Sequence, residues 1–206
     1  MSFEQKLHEA MRSASEHVSV RKATNLGKQA LLDRIDVLDA NKTINLNNEL
    51  SGDVKAAAKR HELSKHLEKS RALDDAIKAA EQDIVRSLPL IEQPATAGAA
   101  QIDFELRSNF QRLPEAQQQA LLKNSEATRM ALARAPRELT SLGELQHARL
   151  TDEVRRSLYP AAMAKVDADR SALDAAKQCR DMHRQTARST FGTPIETHAT
   201  VITPAA

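Results

Sequence analysis

The chain has 206 residues, room for one large or two small domains, and 41% of them are hydrophobic, yet aromatics make up only 2% and there is no Trp. Large rings normally dominate a compact core, so their scarcity beside abundant Ala, Leu, Glu, Lys, Arg and Gln speaks for slender helix pairs and against a thick globule. Thirty basic and 28 acidic residues leave a net charge of +2. The two signs interleave along Glu62, Lys65, Glu68, Lys69, Arg71 and Asp74, which marks a solvated helix face rather than a nucleic-acid patch.

Residues 2–19 read as an amphipathic helix. Ser2 can cap it, with Gln5 bonding back, and Phe3, Leu7, Ala10, Met11 and Ala14 share one stripe. The run Val18-Ser19-Val20 weakens it. A second helix is predicted over 23–40 from Leu26, Ala30, Leu31, Ile35 and Leu38, with Gly27 loosening its first turn at a cost of about 1 kcal/mol relative to Ala. Residues 41–51 hold four asparagines, which favour turns and local side-chain bonds.

The longest element follows over about 52–88. Leu63, Leu67, Leu73, Ile77, Ala80, Ile84 and Leu88 form its stripe, with Ala56, Lys59 and Ser70 at the weaker steps. Ser51 or Asp53 can cap it, and Pro89 ends it. About 36 residues give a rod of roughly 54 Å, longer than the roughly 30 Å span of a small domain. Another long helix, from this chain or another, must therefore cover its apolar edge.

Residues 89–100, with Pro89, Pro94 and Gly98, read as a linker and the main boundary. Beyond it, 101–112 carries Ile102, Leu106 and Phe110, with Leu113 next. Pro114 opens a helix to about Ala133, with Leu121, Leu122, Met130 and Leu132 as its apolar members, and Ala135-Pro136 breaks it. Leu139 to Gly143 is a short apolar bend, and Leu145, Leu150, Val154 and Leu158 belong to a further helix. Pro160 opens a last long helix over 160–188, with Met163, Val166, Leu173, Ala176 and Cys179 or Met182 on its seam. The tail, 189–206, loses the helical period. Its Thr197, Thr200, Val201, Ile202 and Thr203 prefer extended backbone, and such a tail needs a surface to lie on, a partner's strand edge or a neighbouring subunit.

Few residues point to chemistry. Cys179 and His183 share a helix face and could give zinc two ligands, but the sequence offers no further two. A seam cysteine beside a surface histidine is the simpler account. His61 and His66, five apart, do not share a face well. No phosphate-loop, dinucleotide-binding, zinc-protease or nucleophile-elbow motif occurs. Asp74-Asp75 and Asp152-Glu153 lie in polar helical contexts that offer no burial to raise a pKa. Arg180, Arg184 and Arg188 step by four and form a basic stripe, which either complements the helix dipole or contacts phosphate. The lone Cys179 excludes an intrachain disulfide and suits a reducing compartment. The first residues lack a signal-peptide shape, and no run of about 18 apolar residues occurs. Synthesis for the cytoplasm is the expectation, with incorporation into a virion as one destination.

The segment Met130-Ala-Leu-Ala-Arg-Ala-Pro-Arg-Glu-Leu-Thr-Ser-Leu142, followed by the Leu145–Leu158 helix and an Ala-rich closing helix, resembles small helical proteins of tailed bacteriophages, in which an Ala-Pro-x-x-Leu-[Ser/Thr]-x-Leu element joins two helices. The resemblance covers about a third of the chain. It implies a virion or assembly component and brings no catalytic residue with it. Locally, Pro136 stops one helix, and Leu139 and Leu142 can plug the gap where the next turns back.

The expected fold is all-α: extended antiparallel helical hairpins in a coiled-coil-like bundle, with helical units at 1–88 and 101–188 and an extended C-terminal tail. The expected function is non-enzymatic and structural, without cofactor or metal. Leu63, Leu67, Ile77, Ile84 and Leu88, with Ile195 and Val201 of the tail, would meet neighbouring subunits in a homo- or hetero-oligomer. The alternative is a helical regulatory or nucleic-acid-binding protein that uses the Arg180–Arg184–Arg188 stripe.

Overall fold

The computed structural model describes residues 17–192, with Gln5 and Glu9 before them. The described residues form seven α-helices and one 3-10 turn, with no strand among them. The all-α expectation holds. The helix expected over 2–19 lies, up to residue 16, outside the described residues apart from Gln5 and Glu9, and the whole of the tail after Gly192 lies outside them too.

Helix α1 spans Val18–Leu46 and α2 spans Gly52–Ser87. The weak point expected at Val18-Ser19-Val20 and the turn-forming stretch over 41–46 are both helical instead. Val20 is fully buried, and such burial outweighs the weak helix propensity of a β-branched residue. At the other end, Thr43 donates to the Asp39 carbonyl at 2.9 Å and Asn45 to the Asn41 side chain at 3.3 Å, so the polar side chains are used within the helix. Gly27 is a buried residue in the helix interior. The rod α2 has 36 residues, about 54 Å. Its Ser51 cap accepts from the Val54 amide at 3.5 Å.

Four helices and a turn follow: α3 (Ala97–Arg112), α4 (Glu115–Asn124), α5 (Glu126–Arg134), the 3-10 turn Arg137–Leu139, and α6 (Glu144–Leu158). Helix α7 (Pro160–Phe191) closes the described chain. Two packing units result. The first takes α1, α2 to Arg86, and α7 from Ala168; the second is Ser87–Asp167. This differs from units at 1–88 and 101–188, since the greater part of the last helix packs with the first two. The 89–100 stretch belongs to the second unit and is tied down there. Arg155 donates to the Pro89 carbonyl at 3.0 Å, Arg134 to the Glu92 carbonyl at 2.9 Å, and Gln93 to the Arg134 carbonyl at 3.2 Å. Its last residues are already helical, because Thr96 caps α3 by accepting from the Ala99 amide at 3.2 Å.

The predicted helix from Pro114 to Ala133 is two helices. Ser125 interrupts it and caps the second, accepting from the Thr128 amide at 3.2 Å. That second helix, α5, packs on α3, α4 and α6 and so stands at the centre of its unit. The core there joins Phe110, Leu132, Ala133, Leu142, Leu150 and Val154. Ile102 is exposed, because Asp103 turns inward to Arg134 at 3.1 Å. Of the two leucines expected to plug the bend, Leu142 is buried and Leu139 is exposed. Thr140, fully buried, shapes that bend: its hydroxyl donates to the Arg137 carbonyl at 2.7 Å and accepts from the Leu142 amide at 3.3 Å. Ser141 between them takes a left-handed backbone, φ 54°.

Phe110 is the largest fully buried side chain of the molecule's described part. Phe110→Ala should lower the unfolding free energy by about 3–5 kcal/mol, whereas Leu145→Ala, at an exposed site, should change it by less than about 0.5 kcal/mol. Urea unfolding followed by circular dichroism measures both.

Candidate functional site

The first unit is built on one seam. Leu63, His66, Ser70, Leu73, Ile77, Ala80 and Ile84 are buried on α2 at alternating steps of three and four. Helices of the same chain cover them. Val37 of α1, Leu63 of α2, and Ala187 and Phe191 of α7 form one cluster, with Leu67 packed on it. Leu31 of α1 packs against Ala175 and Cys179 of α7. Polar ties repeat the pattern: Asp33 to Lys69 at 3.1 Å, Arg34 to Thr186 at 3.1 Å, and Glu81 to Lys177 at 3.0 Å. Pairing of 63 with 187 and 81 with 177 means that α7 runs antiparallel to α2.

This places the residues expected to meet other subunits. Leu63, Ile77 and Ile84 are 2–4% exposed inside their own chain, and Leu67 is half-buried. Leu88 is half-buried and falls in the second unit. Ile195 and Val201 lie outside the described residues. The long edge does need a second rod, and α7 supplies it, so the first three are interior residues of one chain. Residues 189–191, expected to begin the tail, are the last turn of α7, held by buried Phe191.

At the middle of the seam sits a polar cluster that periodicity did not reveal. His66 and His183 are 2% and 1% exposed, with ring centroids 5.5 Å apart in an edge-to-face arrangement. His66 also stacks on Phe191 at 6.0 Å. Ser70 lies within 3.3 Å of the His66 carbonyl and 3.1 Å of His183 Nδ1. With its one hydroxyl proton directed to that carbonyl, His183 Nδ1–H donates to Ser70 Oγ, and His183 Nε2 keeps its lone pair. His66 Nδ1 and His183 Nε2 have no hydrogen-bond partner among the described residues. Leaving such atoms dry costs about 1–3 kcal/mol each. Burial lowers both imidazole pKa values below the ordinary 6.5; Lys69 adds to this at His66, and the neighbouring ring adds to it at His183. A groove of about 460 Å³ opens beside them, lined by Leu26, Asp33, Lys69, Ser70, Leu73 and His183 among others.

Cys179 and His183 do share a face, and both are buried, so His183 is not a surface residue. Burial raises the Cys179 thiol to about 11, against a smaller opposing pull from Arg34. Among the described residues, no three His, Cys, Asp or Glu side chains come together as a metal site would need. No described helix is long and apolar enough to cross a membrane.

The arginine stripe is partly spent within the fold. Asp74 of α2 accepts from Arg180 at 3.1 Å and also from Arg184. Arg188 alone of the three is exposed. On α1, by contrast, Leu32, Ile35 and Leu38 are 62%, 61% and 56% exposed. Exposed Leu46 lies eleven residues after Ile35, three helical turns on and so on the same side.

Comparison with protein families, curated proteins and solved structures finds no match to this chain.

If the α2 seam is interior, Ile77→Asp should destabilise the isolated chain by about 3 kcal/mol or more, because a lone carboxylate would sit in a dry seam. Ile77→Val should cost only about 0.5–1.5 kcal/mol. Chemical denaturation read by circular dichroism distinguishes them; equal midpoints would place residue 77 outside the core. Asp74→Ala should cost about 1 kcal/mol, since the pair is partly screened by solvent.

Proposed function

We propose that this chain is a non-enzymatic structural protein that binds neighbouring subunits of a larger assembly, and that α1, not the α2 seam, presents the binding surface. One observation carries the reading. Leu32, Ile35 and Leu38 stand open on a helix that buries Ala30 and Val37, with Val37 packed among residues of α2 and α7. Scattered exposed leucines need no explanation, but large apolar side chains aligned along one helix side mark an interaction surface. The resemblance around Ala135-Pro136 to helical proteins of tailed phages supports a virion as that assembly. A phosphate-binding role for the α7 stripe is less favoured, because Asp74 engages two of its three cations.

Sedimentation of the chain across a concentration series tests this. The wild type should associate, and Ile35→Glu should sediment as a monomer whose melting midpoint matches that of the wild type diluted to its monomer, since the site is exposed in the single chain. A wild type that stays monomeric at its highest soluble concentration would overturn the reading.

A further inference from the structure

We propose that His66 and His183 form an acid-triggered latch, whose protonation opens the seam between α2 and α7. Two imidazoles on different helices meet ring to ring in the interior, each with one nitrogen unpartnered among the described residues. A neutral ring fits there, and an imidazolium does not.

The charges around the pair deepen the effect. From α1 the group is Asp33; Arg34 of the same helix is engaged with Thr186, one turn after His183 on α7. From α2 they are Glu62, Lys65 and Lys69, and from α7 Arg184. Both acids already have cations: Lys65 lies 3.3 Å from Glu62 and Lys69 3.1 Å from Asp33. Glu62 is 3.7 Å from His66 Nε2, the nearest counter-charge for a protonated ring; at His183 the opposing acid is Asp33, already engaged by Lys69, and Nε2 has no hydrogen-bond partner among the described residues. Charging both rings also sets two cations against each other across the helix boundary.

The sign follows from linkage. Both imidazoles have folded-state pKa values below the ordinary 6.5, so their contribution to stability is complete above 6.5 and is lost as pH falls from there through the folded values. Each ring can shift the opening equilibrium by up to about tenfold per pH unit in that window, and the two together by up to about a hundredfold. Phe191, stacked on His66, ties the last turn of α7 to the same event.

Cys179 is a built-in reporter. It is the chain's one cysteine, fully buried, one helical turn before His183. Its reaction with a dithiodipyridine, in the full chain, is compared with that of the urea-unfolded chain at each pH from about 7.5 to about 5. The relative rate should rise at least about tenfold on acidification, and it should stay flat in the His66→Gln/His183→Gln double variant. A flat wild type, or a rise that survives in the double variant, would overturn the latch. If the double variant does not fold, imidazole proton resonances of the wild type decide. Two of the seven histidines should stay neutral below 6.5 and charge together with loss of native signals. Titration of all seven near 6.5 with the native spectrum intact would contradict it.

Discussion

A 36-residue helix carrying a buried residue every three or four positions cannot stand alone in water. Everything in the first unit answers that demand. Two other long helices of the same chain lie along it. The facing surface of α7 is rich in alanine, with Ala172, Ala175, Ala176 and Ala187 all buried. Small side chains on one rod let the leucines and isoleucines of the other reach into the contact, which is how a chain with 2% aromatics excludes water over such a length. Ion pairs at Asp33, Asp74 and Glu81 fix which helix faces which along its edges. Partly exposed pairs contribute little energy but add geometric definition.

The second unit solves a different problem with shorter pieces. Its helices are 9 to 16 residues, too short to hold without tertiary packing. A single aromatic, Phe110, supplies much of the bulk at its centre. Side chains also satisfy the carbonyls left at breaks: Arg107 donates to Ala131, Gln118 to Phe110 and Leu113, and His147 Nε2 lies 3.1 Å from the Ala135 carbonyl. Where one unit relies on continuous contact, the other relies on well-satisfied interruptions.

Hydrophobic period and proline positions made the long helix, its stop before Pro89, the 144–158 helix and the seam of the last helix legible in the sequence. Three things escaped that reading for physical reasons. Ser125 broke a predicted helix because a capping hydroxyl competes with continuation, and an isolated serine gives little warning. The partner of the rod came from the far end of the chain, and no local pattern encodes which distant helix pairs with which. The polar cluster was only partly legible: Ser70 falls on the predicted stripe, but His66 takes a core step where hydrophobicity alone looks to Leu67, and no local pattern brings His183 to it. The exposed row on α1 was misread in the opposite sense: Ile35 and Leu38 fit a helical stripe, and only the packed structure shows that the buried side lies at Ala30 and Val37.

One chain closes its own longest seam. Amide hydrogen exchange across a dilution series reads this directly. Amides in 63–84 and 169–187 should be among the slowest to exchange, with rates unaffected by protein concentration. Protection of those segments that fades on dilution would mean that another subunit, not α7 of the same chain, covers the rod.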